Sequence, residues 1–165
     1  MSRKNILLFT AISLALMGGS ITFPKTDFLI WNRTKSAPQG LYWRSNGPLT
    51  LNGWAIVSGR SKGALWASNA GFVGEDWPLI KRVRAMPGDR ICREKEAVFI
   101  NGKQIATALP ISQNGTALPS WQGCHIVADT EVFLLNDHPR SLDGRYFGVT
   151  SLEDISGSAR LIWQW

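Results

Sequence analysis

Residues 79–84 read Leu-Ile-Lys-Arg-Val-Arg, a pattern that sets one basic side chain apart from the others. In an extended strand, successive side chains point to opposite faces, so Lys81 shares a face with Leu79 and Val83 while the two arginines lie on the other face. Apolar surroundings lower the pKa of an amine, which allows a neutral lysine to accept a proton near pH 7. Taken alone, the pattern is more typical of a lysine that extends to water at the sheet edge. Lys81 is therefore a candidate general base.

Ser36 is the candidate nucleophile, and it begins the sequence Ser-Ala-Pro-Gln-Gly-Leu-Tyr of residues 36–42. Pro38 and Gly40 predict a tight turn that presents the serine hydroxyl and a free backbone N–H. A covalent peptidase needs a nucleophile, a proton acceptor and donors for the oxyanion. On its own, however, a serine before a Pro-Gly turn is ordinary loop composition.

A third polar segment, residues 141–148, reads Ser-Leu-Asp-Gly-Arg-Tyr-Phe-Gly. Asp143 and Arg145 are two residues apart, so they can form an ion pair or brace a neighbouring strand. By themselves these residues indicate only a structural pair. Asp143 and Arg145 become informative only when this segment is considered together with the Ser36 and Lys81 segments, in their order along the chain.

The chain has two cysteines, Cys92 and Cys124, and two histidines, His125 and His138. In an oxidising compartment, the cysteine pair predicts a disulfide. A metal site built on these four residues is a weaker alternative, because no close Cys-x-x-Cys or His-x-x-x-His pair is present. Neither histidine stands in a recognisable triad context, so we expect both to lie outside the catalytic site.

The N-terminus predicts a membrane-spanning or targeting helix. Residues 6–23 are nearly continuous apolar sequence without charge, which is about the ~20 residues that a helix needs to cross a bilayer. Arg3 and Lys4 precede it, so the positive-inside rule keeps the N-terminus in the cytoplasm and exports the rest. We interpret residues 1–24 as a signal anchor, with a cleaved signal peptide ending near Gly18 and Ser20 as the alternative.

The remaining chain, residues 25–165, is expected to form one exported domain. Of the 165 residues, 18% are charged and 44% apolar, which excludes a disordered chain. The net charge of +6 suggests either nucleic acid or an anionic membrane surface as a partner. No nucleic-acid-binding motif accompanies the basic residues, so we predict membrane lipid and no nucleic acid.

Short strands separated by turns must position the three polar segments. An Asn-Gly pair at residues 101–102 predicts a type I′ hairpin turn. Residues 24–35 suggest a polar connector, and residues 58–75 a loop or a short helix. The fold class is mainly β, with a sheet assembly that is closed or nearly so. The predicted strands are residues 40–43, 54–57, 78–84, 97–100, 103–105, 131–135 and 159–165.

In this order and behind an apolar N-terminus, the three segments resemble the type I signal peptidase superfamily, and within it the TraF-type peptidases of bacterial conjugative transfer. Residues 36–42 are similar to the TraF-type serine box, whereas general-secretion enzymes usually have Met in place of Ala37. Residues 81–89, Lys-Arg-Val-Arg-Ala-Met-Pro-Gly-Asp, resemble the lysine box. Residues 141–148 resemble the last box, except that Gly144 replaces a second serine.

The resemblance implies a signal-peptidase-like, β-rich catalytic domain that uses no cofactor or metal. Ser36 would attack the substrate carbonyl, with its backbone N–H helping to hold the oxyanion, and Lys81 would take the proton. Ser141 would orient the lysine, and Asp143 and Arg145 would form a structural pair behind it. In the TraF-type branch, this aspartate belongs to the essential set.

The resemblance also implies a substrate and a place of action. The substrate would be an exported precursor, namely a conjugative pilin subunit, with ring closure as a further step that the sequence leaves open. The enzyme would sit in a bacterial inner membrane with its catalytic domain in the periplasm, or would be periplasmic if the N-terminal segment is cleaved. Two alternatives are a general type I signal peptidase and a catalytically inactive assembly factor of the conjugation apparatus.

Overall fold

The structure is a computed structural model that describes residues 5, 8–14 and 28–165. The anchor or signal peptide expected over residues 1–24 lies largely outside the described residues. The described part of this range, residues 5 and 8–14, is helical. Within the described ranges, no helix combines the length and the apolar character needed to cross a bilayer.

Residues 28–165 form two antiparallel sheets with two short helices between their strands. Helix α1 is Lys62–Asn69 and helix α2 is Gly144–Phe147, and a 3-10 turn covers Leu152–Asp154. The strands are β1 Leu29–Asn32, β2 Gly40–Ser45, β3 Trp54–Val57, β4 Leu79–Ala85, β5 Arg90–Glu94, β6 Ala97–Ile100, β7 Lys103–Thr107, β8 Gly123–Ile126, β9 Glu131–Leu134, β10 Thr150–Ser151 and β11 Ile155–Gln164. The prediction of a mainly β domain is confirmed.

The larger sheet has seven strands in the order β1-β2-β11-β3-β4-β9-β10, and the smaller has four in the order β7-β6-β5-β8. Both orders are linear in the described part of the chain, so neither sheet closes on itself, and of the expected closed or nearly closed assembly the closed form was wrong. The last long strand, β11, lies between β2 and β3 and joins the N-terminal hairpin to the rest of the large sheet.

Apolar side chains at alternating positions build a core between the two sheets. The cluster that joins them takes Ala85 from β4, Ile91 from β5, Val98 from β6 and Phe133 from β9, and each is at most 1% exposed. Removing this surface from water is the main favourable term that holds the small sheet against the large one.

Four strands were not predicted from the sequence: β1, β5, β8 and β10. Strand β1 falls in the expected polar connector, β5 lies between the Pro-Gly-Asp turn and the Asn-Gly hairpin, and β8 follows the long irregular segment after β7. The Asn-Gly hairpin is confirmed, because Asn101 and Gly102 have φ values of 50° and 80° and connect β6 to β7. Cys92 on β5 and Cys124 on β8 are directly opposed in register and form a disulfide.

Candidate active site

Ser36 lies in the loop that joins β1 to β2. The two strands pair up to Asn32 and Gly40, so residues 33–39 form the end of a hairpin. The Asn32 side chain, 7% exposed, fills this loop: its Nδ2 donates to the carbonyl oxygens of Thr34, Ala37 and Pro38 at 3.0–3.1 Å. A single buried amide therefore fixes the loop that presents the candidate nucleophile.

The conformation of residues 36–42 follows from contacts that the linear motif does not reveal. Tyr42 is buried, which raises its pKa to about 12, and its hydroxyl donates to the Pro38 carbonyl at 2.8 Å. Ala37 is 5% exposed and packs in a cluster with Tyr42 and Ile80 of β4. A Cβ at Gly40 would collide with the carbonyl oxygen of Trp163 on β11. The motif residues around Ser36 thus anchor the loop to β4 and β11.

Lys81 lies on β4 and is buried, with 5% exposure. Its Nζ donates to Ser141 Oγ at 3.1 Å. Burial, the largest effect, lowers the pKa of Lys81 to about 8; the Asp143 carboxylate acts in the opposite direction and the Arg145 guanidinium adds to the lowering. The structure therefore gives Lys81 the desolvated environment that its strand pattern predicts.

The two arginines beside Lys81 behave differently. The side chain of Arg82 is 27% exposed and lies over the Trp54 ring, 4.1 Å from its centroid. Arg84 is 33% exposed and pairs with Asp137. Both side chains keep contact with solvent, which agrees with the two-face pattern of the strand.

Asp143 and Arg145 form a buried ion pair behind the lysine. Arg145 Nε donates to Asp143 Oδ1 at 2.8 Å, and both side chains are at most 2% exposed. Arg145 also donates to the carbonyl oxygens of Pro139 and Asn136, each at 2.7 Å. Asp143 in turn caps helix α2 by accepting the Arg145 backbone N–H. These bonds brace residues 136–145, the segment that carries Ser141.

Helix α2 connects this braced segment to the small sheet. Trp121 Nε1 donates to the Gly144 carbonyl at 3.0 Å, and Arg93 Nη1 donates to the Arg145 carbonyl at 2.7 Å. The Tyr146 hydroxyl accepts the Leu109 N–H at 3.1 Å. The small sheet therefore supports the segment next to Lys81.

Gly144 replaces the second serine of the family's last box, and close packing around it explains why a glycine stands there. A Cβ at Gly144 would lie 2.6 Å from Phe133 Cε2 and 2.7 Å from the Leu134 carbonyl oxygen. Phe133 is fully buried in the core that joins the sheets. A serine at this position would displace either the aromatic ring or the backbone of β9, so glycine is the residue that fits.

Ser36, Lys81 and Ser141 all line one cavity of about 490 Å³. Its walls also come from helix α1 and the following loop, through Ala67 and Trp77, and from the irregular segment after β7, which contributes residues such as Leu109 and Leu118. A second cavity of about 360 Å³ also borders Ser36. Ser36 is half-buried, and its hydroxyl lies 3.2 Å from Thr34 Oγ1.

The structure brings five predicted residues to one region and leaves the others outside it. Ser36, Lys81 and Ser141 line the cavity, and Asp143 and Arg145 brace it from behind. In residues 28–165, no hydrogen bond joins Ser36 to Lys81 directly, since the lysine amine bonds to Ser141. The disulfide lies in the small sheet and uses both cysteines, so neither is a thiolate ligand for a metal.

The expectation that both histidines lie outside the site was wrong for one of them. His138 lines both cavities that border Ser36, because the loop that follows β9 turns back toward the nucleophile. Its Nδ1 accepts the Arg140 N–H at 3.2 Å. His125 instead pairs with Glu131 at 2.6 Å and lines neither cavity.

Sequence reasoning missed two buried asparagines, Asn32 and Asn136, which hold the backbone near Ser36 and Lys81. Each stands at the end of a strand, where an asparagine is ordinary turn composition. The available signal is weak: an asparagine directly after a run of apolar residues, as in Phe-Leu-Leu-Asn at residues 133–136.

Comparisons with known proteins show which family this chain resembles. The family model for signal peptidase, peptidase S26, matches residues 3–165. Two plasmid transfer proteins TraF of Escherichia coli are each 30% identical over 145 residues, covering 81% of this chain and 82% of theirs. Signal peptidase I of Bacillus amyloliquefaciens is 28% identical over 97 residues, covering 54% of this chain and 52% of its own.

Among solved structures, a signal peptidase I from Enterococcus faecalis is 17% identical, with a TM-score of 0.40, and the match covers 69% of this chain and 98% of that one. The family model spans nearly the whole chain, including all three polar segments. The chain belongs to the signal peptidase family, peptidase S26.

Proposed function

We propose that this protein is a serine endopeptidase in which Ser36 is the nucleophile and Lys81 the general base. The observation that carries the proposal is a buried lysine, with a pKa of about 8, on the wall of the cavity that Ser36 also lines. A base must be largely neutral at working pH, and an ordinary lysine with a pKa near ~10.4 is not.

In the proposed reaction, Ser36 Oγ bonds to the scissile carbonyl carbon while its proton passes to Lys81 Nζ. The Ser36 backbone N–H makes no hydrogen bond within residues 28–165, so it is available for the oxyanion. When the C–N bond breaks, the leaving amine takes the proton from Lys81. Water then bonds to the acyl carbon while its proton passes to Lys81, and Lys81 returns that proton to Ser36 Oγ as the ester C–O bond breaks, which restores both residues.

We propose that the substrate is an exported precursor and that it is a conjugative pilin subunit. The similarity to plasmid transfer proteins over four fifths of the chain supports this choice over a general signal peptidase. Two cavities meet at Ser36, which leaves room for the acyl group and for an incoming nucleophile. An amine in place of water would join two ends of a chain, so the same site is suited to ring closure.

We also propose that the catalytic domain lies on a bacterial inner membrane, on its periplasmic side, with Ser36 near the lipid. The hairpin β1–β2 and its neighbour β11 expose large aromatic side chains: Trp31 is 60% exposed, Trp163 58% and Trp165 47%. The Trp165 ring contacts the other two, with its centroid 5.4 Å from that of Trp31 and 5.3 Å from that of Trp163. Exposed aromatic clusters are typical of membrane interfaces, and the net charge of +6 favours anionic lipid.

The membrane proposal predicts weaker lipid binding when the tryptophan cluster is removed. The catalytic domain with Trp31, Trp163 and Trp165 each replaced by serine should co-float with phosphatidylglycerol-containing vesicles several-fold less than the parent domain. A variant with the exposed Leu51 changed to serine, away from this cluster, is the control. Equal flotation of the parent and the triple variant would contradict a lipid-facing role.

The pKa of Lys81 predicts an alkaline activity profile. Because the pKa is lowered to about 8, the neutral form dominates above that pH and is lost below it, so the rate should fall about tenfold for each unit below pH 8. The measurement is the pH–rate profile for cleavage of a peptide substrate in detergent. A His138→Ala variant is the critical comparison, because His138 borders Ser36. If the acidic limb disappears in that variant, the base is His138 and the Lys81 assignment is wrong.

Intact-mass analysis of a candidate pilin co-expressed with this protein tests the function as a whole. Loss of a leader alone identifies a peptidase, and a further loss of one water identifies ring closure. Processing of many unrelated preproteins would favour a general signal peptidase. An unchanged mass, with a protein that still supports conjugation when Ser36 is replaced, would favour an inactive assembly factor.

A further inference from the structure

Strand β4 loses its backbone partner beside Lys81. Strand β9 pairs with β4 through Val83 and Leu134, and the Leu135 N–H donates to the Arg82 carbonyl at 2.9 Å. Beyond Leu135, the chain leaves the sheet and enters the braced segment 136–145. On this side of β4, two backbone groups next to Lys81 therefore have no strand to pair with.

The side-chain amide of Asn136 takes the place of the missing strand. Its Oδ1 accepts the Arg82 N–H at 2.8 Å, and its Nδ2 donates to the Ile80 carbonyl at 3.1 Å. These two groups lie on either side of Lys81. A carboxamide offers one acceptor and a donor in the same plane, as a peptide group does, so it can extend the ladder by one step. Asn136 is 1% exposed, so these bonds are sheltered from water.

The backbone of Asn136 is tied to the ion pair behind the site. Its N–H donates to Asp143 Oδ2 at 3.0 Å, and its carbonyl accepts Arg145 Nη2 at 2.7 Å. The same segment carries Ser141, which contacts Lys81 Nζ. Segment 136–145 thus holds Lys81 at two points. Asn136 fixes the backbone on either side of the lysine, and Ser141 contacts its amine.

We propose that Asn136 is a positioning residue that holds Lys81 in its buried place on the cavity wall. This inference rests on the proposed role of Lys81 as the base. It also gives the buried Asp143–Arg145 pair a route to the lysine, because both partners bond to the backbone of Asn136. Asn136 itself touches no reacting atom.

Loss of the amide should change the environment of the amine. Without it, the Ile80 carbonyl and the Arg82 N–H are orphaned, and water that enters to satisfy them weakens the desolvation that lowers the Lys81 pKa. A carboxylate at position 136 would also favour the charged amine. The other titratable or charged groups near Lys81 are Asp143 and Arg145 on the braced segment, and Lys35, His138, Arg140 and Tyr146 on the cavity wall.

The test compares Asn136→Asp and Asn136→Ala with the parent by two readouts. The first is an NMR titration of the Lys81 side chain in protein labelled at the lysine Cε and Nζ. The second is the pH–rate profile for peptide cleavage. We expect the Lys81 midpoint to rise by about one unit or more in both variants. We expect about a fivefold or larger loss of kcat at pH 8 with a smaller change in KM, and recovery near pH 10.

Asn69→Asp is the matched control, because Asn69 is exposed on α1 and lines none of the cavities described here. In Asn136→Ala, which adds no charge, a merely structural role would lower activity equally at every pH, without moving the Lys81 titration. An unchanged midpoint in folded Asn136→Asp overturns the proposal, and that isosteric variant decides the case if Asn136→Ala does not fold. If the parent cleaves no peptide, the proposed function fails, while the NMR titration still decides the role of Asn136.

Discussion

Replacing Ser36 with alanine, or Lys81 with methionine, is expected to abolish processing while the protein still folds. Each change removes one half of the proposed dyad, and removal of a nucleophile or its base lowers kcat by factors on the order of 10⁴ to 10⁶. The measurement is single-turnover cleavage of a peptide or precursor substrate, with folding checked by circular dichroism. Full processing by either variant would exclude the Ser36–Lys81 mechanism.

The lysine variants separate loss of chemistry from loss of structure. Methionine fills the volume of Lys81 without a charge, and because the site is 5% exposed we expect its stability to equal or exceed that of the parent. Lys81→Arg should also be inactive, because a guanidinium does not release its proton at working pH. A stable methionine variant without activity would assign the loss to the missing base.

Replacing Asp143 with alanine is expected to cost about 3–5 kcal/mol in the free energy of unfolding, because it leaves a buried arginine without its partner. Arg145 is 2% exposed and would keep its charge in the core. The change also removes the cap of α2 and the acceptor of the Asn136 N–H. The measurement is urea denaturation, and peptide cleavage should fall with it because Ser141 and Asn136 lose their support.

Two controls test this reading of the ion pair. Asp137 is 65% exposed and pairs with Arg84 at the surface, so Asp137→Ala should cost about 1 kcal/mol or less. Adding Arg145→Met to Asp143→Ala should recover part of the lost stability, since no uncompensated charge remains. If Asp143→Ala proves no more costly than Asp137→Ala, the buried pair does not brace the segment.

The sequence by itself determined most of the local structure. Short apolar runs between turn signals located β3 and β9, and period-2 alternation described β4, each within one or two residues; the Asn-Gly pair located the β6–β7 hairpin. These signals are local and depend only on residue type, side-chain direction and turn conformation. The same alternation placed Lys81 on the face of Leu79 and Val83 and the two arginines of the strand on the other face. Alternation alone is equally typical of a lysine that reaches water at the sheet edge, so the burial of Lys81, which is 5% exposed, was decided by the fold.

The tertiary structure decided which distant segments of the chain pair as strands and which side chains meet at the candidate site. Strand β1 lies within residues 24–35, which were interpreted as a polar connector, and its four residues, Leu-Ile-Trp-Asn, form a strand only because β2, backed by β11 from the far end of the chain, supplies their partner. The presence of His138 at the site and the use of Asn32 and Asn136 as substitutes for backbone likewise depend on where loops return after long separations. No local pattern encodes such returns, since an isolated polar residue looks the same whether it faces water or completes a buried hydrogen-bond network.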